Sequence, residues 1–170
     1  MNDEQIDSIL AQQQTDVEHP FHGGFEGTYA LYPVGKAAWF LNRMVCGLVS
    51  NGSRHCNSTE VLDASEIAAR LIRRLQHDDG TIDLSSTNFC SPPDTAFVVE
   101  PLALTAGILR AVNPAHESLL QPIGEFLVAA GEALISGGIH TPNHRWVVCM
   151  ALARINNLFP DPRLVERADQ

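Results

Sequence analysis

The segment Gly137–Trp146, with the sequence GGIHTPNHRW, marks the place where one long helix ends and another begins. Its two glycines follow a long apolar run, and glycine commonly ends a helix by adopting a positive φ. Thr141 stands where an N-cap is expected, and Pro142 suits the first helical position because that position needs no N–H donor. The segment therefore predicts a junction between two helices, with Asn143 and His144 in the first turn of the second.

The first turn of this second helix carries side chains suited to acid–base chemistry. Free backbone N–H groups and the positive end of the helix dipole are concentrated there. That field favours a neutral imidazole on His144, the form that a general base requires, and the amides of Asn143 and the guanidinium of Arg145 are candidate donors to an anion. His140 and Trp146, on either side, are candidates for substrate contact. The alternative interpretation is a well-capped helix whose polar side chains face solvent.

Apolar residues at helical spacing predict further helices on both sides of this junction. Pro101 lies inside one of them and predicts a kink or a break. Asp79 and Gly80 form a turn signal, and Thr81–Leu84 alternates like a short strand. The predicted helices are Asp3–Gln14, Gly35–Val49, Thr59–Leu75, Asp94–Val112, Ala115–Ser136 and Thr141–Phe159.

Mainly apolar helices alternate with more amphipathic ones, and the apolar helices recur at roughly fifty to sixty residues, a spacing typical of arrays of helix pairs. This pattern favours an all-α fold in which inner and outer helices alternate. We therefore predict an incomplete (α/α) toroid of about three helix pairs, with a short β-like insertion near residues 80–90. The whole chain, residues 1–170, is expected to be a single helical domain and the N-terminal part of a larger toroid.

Composition limits the classes of function. The chain has 170 residues, of which 45% are hydrophobic, and a formal net charge of −9. This charge argues against nucleic-acid binding, which needs a basic surface. The first residues are acidic and polar, unlike a signal peptide, and no apolar run of membrane-spanning length is expected. We therefore predict a cytoplasmic protein with neither a nucleic-acid partner nor a membrane contact.

Neither a metal ion nor another cofactor is predicted. The four cysteines are widely separated and form no C-x-x-C pair, so free thiols in a reducing compartment are favoured over disulfides or a zinc site. His77, Asp78 and Asp79 are adjacent residues of the metal-ligating type. A solvated turn at a helix end explains them better than a metal site does.

Two longer segments carry a resemblance to known enzymes. They are HDDGTIDLSSTNFCSPPDTAFVVEPL at 77–102 and GGIHTPNHRWVVCMALARINNLFPDPR at 137–163. Together they resemble bacterial proteins with incomplete (α/α)6 toroids, whose functional kin are polysaccharide lyases of the heparinase II/III and alginate lyase type. The likeness covers roughly residues 20 to 169, and its specific motif is the adjacent pair Asn143 and His144.

This resemblance implies β-elimination across a uronic acid in an acidic oligosaccharide or polysaccharide. In such enzymes Asn neutralises the substrate carboxylate, His or Tyr removes the C5 proton, and Tyr protonates the leaving oxygen. The resemblance assigns catalytic roles to Asn143 and His144, while Asn88 is a candidate second donor and Tyr29 and Tyr32 are candidates for substrate binding. The catalytic Tyr of these families follows the Asn-His pair, and no tyrosine follows it here. An inactive fragment is therefore one of the expected outcomes.

Two other classes of function stay open. A toroid glycoside hydrolase, such as an unsaturated uronyl hydrolase, would need a pair of carboxylates. The candidates are Asp78, Asp79, Asp94 and Glu100. A non-catalytic helical-repeat scaffold would lack a concave polar pocket. Because the last long helix is apolar around most of its circumference, half a toroid is expected to expose it, and either homo-oligomerisation or a missing C-terminal half would cover it.

Overall fold

The computed structural model describes residues 3–112, 116–138 and 141–170, and this part of the chain is mostly helical. It forms seven α-helices, a short 3₁₀ turn at Thr28–Ala30 and one antiparallel β-hairpin. The helices are α1 (Asp3–Gln12), α2 (Val34–Val49), α3 (Thr59–Arg74), α4 (Pro92–Val112), α5 (Glu117–Ser136), α6 (Pro142–Leu158) and α7 (Pro162–Ala168), and the strands are β1 (Ile82–Leu84) and β2 (Asn88–Ser91). The predicted all-α class is therefore confirmed. The six predicted helices agree with α1 to α6 to within about two residues at each end, whereas α7 was not predicted.

The six helices from α2 to α7 form two layers. In the first layer α2 packs against α4 and α4 packs against α6. In the second layer α3 packs against α5 and α5 packs against α7, while each of these helices also packs on its predecessor in the chain. Three consecutive helical hairpins therefore stack in chain order, as expected for an array of helix pairs.

The core lies between the two layers, and α4 contributes to it along its whole length. Its residues Val99 and Leu102 have no accessible surface, and Pro101 is also buried. The helix continues through Pro101, so the predicted break does not occur. The buried hydroxyl of Thr105 donates to the Pro101 carbonyl at 2.7 Å and accepts from the Asn42 amide at 3.0 Å, which satisfies these polar groups inside the apolar core.

Most of the apolar surface of α6 is covered, contrary to our expectation. Four of its large apolar residues are at most 8% exposed, namely Val147, Val148, Leu152 and Ile155. The first-layer helix α4 packs against α6, and so does α7, whose Leu164 is 4% exposed. Because α4 and α7 cover this surface, an exposed apolar helix no longer supports homo-oligomerisation, which stays a prediction.

Helices α4 and α5 are long and apolar enough, by length and composition alone, to cross a membrane. The expectation that the chain contains no apolar run of this length is therefore wrong. Within the most apolar windows of these helices, 56% and 50% of the residues are buried inside the fold. Core helices of water-soluble proteins meet the same criterion, because both environments select long apolar segments.

Candidate functional site

The junction after α5 brings the start of α6 next to the start of α4. Gly137 leaves α5 in an extended conformation, with φ −69° and ψ 149°, and not with the positive φ that we predicted. A Cβ atom at this position would lie 2.6 Å from Pro92 Cβ and 2.9 Å from the Ala133 carbonyl oxygen. The glycine is therefore required because the backbone passes close to α4, and the Arg167 guanidinium also holds this turn by donating to the Gly137 carbonyl at 3.0 Å.

The first turn of α6 has the predicted order of residues but not the predicted cap. Pro142 is the first helical residue, and Thr141 precedes it in an extended conformation. The Thr141 side chain accepts no hydrogen bond from the helix, and its hydroxyl instead donates to the Asn143 side-chain oxygen. Asn143 is exposed, whereas His144 is half-buried. The helix therefore turns His144 towards neighbouring elements and leaves Asn143 at the surface.

The β-hairpin between α3 and α4 is fixed against both layers. Gly80, with φ +83°, makes the turn before β1, and a Cβ atom there would lie 2.0 Å from the Ala129 carbonyl oxygen of α5. The Gln76 side-chain amide donates to the Gly80 carbonyl at 2.8 Å. On the other side the Ile82 N–H donates to the Thr95 hydroxyl of α4 at 2.9 Å. These contacts set the position of the hairpin relative to the start of α4.

Strand β2 and the first turn of α6 enclose a pocket of about 280 Å³, which we call the hairpin pocket. It is lined by residues 87–93 and by His144. The pocket brings together Asn88 and His144, which were predicted to share a site although they are far apart in the sequence. It does not include Asn143, Tyr29 or Tyr32 among its lining residues.

Asn88 takes part in the hydrogen bonds that begin α4. Its side-chain amide donates to Asp94 Oδ2 at 3.2 Å, and the Ser91 hydroxyl donates to the same oxygen. The Asp94 N–H in turn donates to Ser91 Oγ at 3.4 Å, so Ser91 and Asp94 form a variant of the capping box. Because an amide group has two N–H donors, the contact with Asp94 engages one of them.

Both tyrosines lie in the loop between α1 and α2, away from the lining of the hairpin pocket. Tyr32 stacks on Phe21, with ring centroids 4.7 Å apart and an interplanar angle of 6°, and its ring is also near His19. Tyr29 is 88% exposed and has a positive φ of 61°. One tyrosine is thus a packing residue of the loop, and the other faces solvent.

The remaining predicted site residues do not gather at the pocket either. Arg145 is exposed, and Trp146 is 78% exposed. Trp146 follows His144 by two positions, and residues with this spacing on a helix do not face the same side. His140 lies outside the described residues.

A group of ligand-type side chains that the sequence did not predict lies beside the pocket. His77, Asp83 and Cys90, which we call the hairpin cluster, present nitrogen, oxygen and sulfur atoms that all lie within 4.8 Å of one another. His77 Nε2 is 2.8 Å from Asp83 Oδ1, and the Cys90 N–H donates to the same oxygen at 2.8 Å. Partial burial opposes ionisation of Asp83, but the hydrogen bonds from Cys90 and His77 outweigh it and keep the pKa of this carboxyl below its usual value. Cys90 belongs to both the cluster and the hairpin pocket.

A β-bulge explains how Cys90 reaches Asp83. Ile82 pairs with Ser91 and Leu84 pairs with Asn88, so that Asp83 alone faces two residues of β2. A bulge of this kind re-aims a side chain, and Cys90 has the left-handed φ of 47° that accompanies such a distortion. The cluster therefore depends on the register of the two strands. The irregular sequence of this segment does not reveal that register.

The adjacent residues Asp78 and Asp79 form the solvated turn that we favoured over a metal site. Asp78 is exposed, and Asp79 Oδ1 accepts hydrogen bonds from the Thr81 N–H at 2.9 Å and from the Thr81 hydroxyl at 2.6 Å. The Thr81 hydroxyl is the main reason that the pKa of Asp79 lies below its usual value. His77 alone of these three residues joins the hairpin cluster.

No protein-family model matches this chain, and searches of curated proteins and of solved structures find no significant match.

Proposed function

We propose that this chain is a carbohydrate-active protein of the polysaccharide lyase type, which acts on a uronic-acid-containing glycan by β-elimination. The observation that supports the proposal is the hairpin pocket, in which Asn88 and His144 lie together. We further propose that its three helix pairs belong to an incomplete (α/α) toroid. The alternation of first-layer and second-layer helices along the chain supports this arrangement.

Elimination from a uronic acid requires a group that stabilises the substrate carboxylate. The C5 proton is only weakly acidic, because its removal places additional negative charge on a group that is already an anion. An amide donor such as Asn88 stabilises that charge through hydrogen bonding. The pocket also lies at the N-terminal ends of α4 and α6, where the positive ends of two helix dipoles favour an anion.

His144 is the proposed base. Its imidazole removes the C5 proton, the electron pair forms the C4–C5 double bond, and the C4–O4 bond breaks. The leaving oxygen then needs a proton. Since neither tyrosine lines the pocket, we assign this step to the same histidine, which returns the proton to O4. One residue then acts first as base and then as acid, which requires both transfers on the same face of the sugar.

The size of the pocket limits what part of the substrate it holds. At about 280 Å³ it lies just below the usual range of ligand pockets, about 300–1,000 Å³, so it suits one sugar unit and not a long stretch of polymer. The remaining sugars of a bound chain would lie along the surface outside the pocket. An acidic oligosaccharide is therefore the best first substrate.

The hydrolase alternative has less support in the geometry. None of the four candidate carboxylates, Asp78, Asp79, Asp94 and Glu100, lines the hairpin pocket. Asp79 is engaged by Thr81 in a turn, and Asp94 is engaged by Ser91 in the cap of α4. These two acids are accounted for by local structure and do not form the opposed pair that glycoside hydrolysis needs.

The proposal is tested by incubating the purified chain with a panel of acidic oligosaccharides and polysaccharides. Formation of the conjugated double bond is followed by ultraviolet absorbance. We expect His144→Ala to abolish product formation and Asn88→Ala to reduce the rate by about 10²–10³-fold, the range for losing one preorganised donor. Asn143→Ala is the matched comparison, because its amide lies outside the pocket lining, and we expect it to have the smaller effect.

Two results would contradict this proposal. One is equal activity in the wild type and in His144→Ala, which would remove the base. The other is the absence of product from every substrate although circular dichroism shows a folded helical protein. A large loss in Asn143→Ala with none in Asn88→Ala would instead transfer the carboxylate-binding role to Asn143.

A further inference from the structure

We propose that the hairpin cluster of His77, Asp83 and Cys90 binds a divalent transition-metal ion, for which Zn²⁺ is the best match. The cluster offers one imidazole nitrogen, one carboxylate oxygen and one thiol sulfur. Zn²⁺ accepts all three kinds of ligand, with thiolate sulfur among the most favoured. Magnesium and calcium prefer sites built from oxygen alone, so the sulfur and nitrogen ligands argue against them.

The spacing of the ligand atoms fits a site that closes slightly around its ion. The three atoms lie within 4.8 Å of one another, and His77 Nε2 is 2.8 Å from Asp83 Oδ1. Bonds of about 2.0–2.3 Å in tetrahedral geometry place ligand atoms roughly 3.3–3.8 Å apart. The histidine and aspartate therefore need to separate by less than about 1 Å, and the cysteine needs to approach by a similar amount, which side-chain rotation achieves.

Backbone contacts already hold the three residues near these positions. The His77 N–H donates to the Thr81 carbonyl and the Gly80 N–H donates to the His77 carbonyl, both at 2.9 Å. The bulge holds Cys90 opposite Asp83, and the Cys90 N–H orients the carboxylate by donating to Oδ1. Hydrogen bonds that orient ligands in this way are a regular part of metal sites, because they fix the geometry before the ion arrives.

The cluster leaves room for a ligand that the protein does not supply. His77 and Asp83 are only half-buried, and Cys90 is exposed. Zinc sites with three protein ligands keep a fourth position for water or substrate, whereas structural sites usually have four protein ligands. Since Cys90 also lines the hairpin pocket, this fourth position would border the pocket. The inference depends on these three residues and their geometry, and it holds whether or not the chain is a lyase.

Metal binding is tested directly with Co²⁺, which reports on its own ligands. The full chain is treated with a chelator under reducing conditions, the chelator is removed, and Co²⁺ is added in steps. We expect visible absorption typical of tetrahedral cobalt, a near-ultraviolet band from thiolate to cobalt, saturation at one ion per chain, and displacement by Zn²⁺. Calorimetry with Zn²⁺ then gives the affinity of the wild type.

Variants assign the ligands. Cys90→Ser should remove the thiolate band, and Asp83→Asn, which keeps an acceptor for the Cys90 N–H, should weaken Zn²⁺ binding at least about tenfold. Cys56→Ser is the matched control, since Cys56 is also a free thiol in a loop next to a histidine, His55. It should bind like the wild type. Circular dichroism of each variant confirms that the fold is retained.

Several outcomes would overturn the proposal. Absence of a cobalt spectrum in the folded wild-type chain would show that the cluster is only a set of hydrogen bonds that fastens the hairpin. A thiolate band that persists in Cys90→Ser and disappears in Cys56→Ser would place the metal elsewhere. Because none of these measurements uses a glycan, a failure here is distinguishable from a failure of the proposed elimination.

Discussion

The starts of α4 and α6 are alike in sequence, but their polar groups are used differently. Each helix begins with a hydroxyl residue followed by proline, as Ser91-Pro92 in one and Thr141-Pro142 in the other. In α4 the Ser91 hydroxyl accepts the N–H of Asp94 and donates to its carboxylate. In α6 the Thr141 side chain accepts no hydrogen bond from the helix.

The third helical residue differs between the two starts. It is Asp94 in α4, whose carboxylate completes a reciprocal cap with the hydroxyl residue. It is His144 in α6, and an imidazole at this position does not form the same reciprocal pair. The same opening sequence therefore produces a closed, stabilising helix start in α4 and an uncapped start in α6, where the third residue lines a pocket.

The largest effect is expected where the two starts meet. Replacing Gly137 with alanine places a Cβ atom 2.6 Å from Pro92 Cβ, so the backbone at the end of α5 must move away from α4. We expect Gly137→Ala to lower the free energy of unfolding by about 1–3 kcal/mol, as overpacking does. Gly52→Ala is the control, because nothing lies within 4 Å of a Cβ atom there. Urea denaturation measures both, and equal stability of the two variants would contradict the close approach.

Removing the hydroxyl group from Ser91 and from Thr141 should destabilise the protein to different extents. Ser91→Ala eliminates the capping box, and we expect a loss of about 0.5–2 kcal/mol in the free energy of unfolding. Thr141→Ala removes a side chain that caps nothing, so its effect should stay within about 0.5 kcal/mol. Chemical denaturation of the two variants is the measurement. Equal losses would show that Thr141 caps α6 in solution and that the contrast between the helices is wrong.

The start of α7 has a cap whose contribution to stability depends on pH. Asp161 accepts the Arg163 N–H at 2.9 Å, and hydrogen bonding from the Arg163 side chain is the main cause that lowers the pKa of Asp161 from 3.8. A lowered pKa in the folded state means that the stabilisation is present above pH 3.8 and is lost as the pH falls through the lower folded value.

The variant Asp161→Asn tests whether Asp161 causes this loss of stability at low pH. Asparagine caps a helix about as well as aspartate but does not titrate, so the stability of the variant should depend less on acid than that of the wild type. Thermal melting at about pH 6 and about pH 2 measures both proteins. A wild-type advantage that is equally large at both values would contradict the titration of Asp161 as the cause.

The smallest effect is expected at Trp146, near the start of α6. Its side chain is 78% exposed and contributes little to the core, so Trp146→Ala should change the free energy of unfolding by less than about 0.5 kcal/mol. Val148→Ala, which truncates a residue only 3% exposed, should cost clearly more. Equal costs would mean that Trp146 is covered by another surface in solution, as self-association would produce.

The helices could be predicted from the sequence because each carries its own signal. Apolar residues at helical spacing mark α3 and α6, and the threonine–proline start of α6 has the predicted position. Asn88 and His144 line the same pocket because Asn88 precedes α4 and His144 begins α6, and the N-terminal ends of these two first-layer helices lie together. These inferences require only local pattern and chain order.

The features that were missed depend on contacts between distant segments. The prediction of a positive φ at Gly137 was wrong. A glycine is needed there because the backbone passes close to Pro92, and no local pattern in the sequence reveals this contact. The bulge that aligns Cys90 with Asp83 depends on strand register, and a shift of one residue would reverse the direction of each side chain. The sequence of an irregular loop also does not reveal which of its aromatic rings pack together, so the stacking of Tyr32 on Phe21 could not be predicted.

The bulge also places one cysteine, Cys90, where a thiol reagent can reach it. Cys90 is exposed, whereas Cys46, Cys56 and Cys149 are partly buried, and burial raises the pKa of the Cys46 thiol. A thiol-reactive fluorophore should therefore attach first at Cys90, without any engineering of the chain. A label there would stand at the border of the hairpin pocket and the hairpin cluster. Its rate of attachment, with and without sugar or Zn²⁺, would report optically on the occupancy of each.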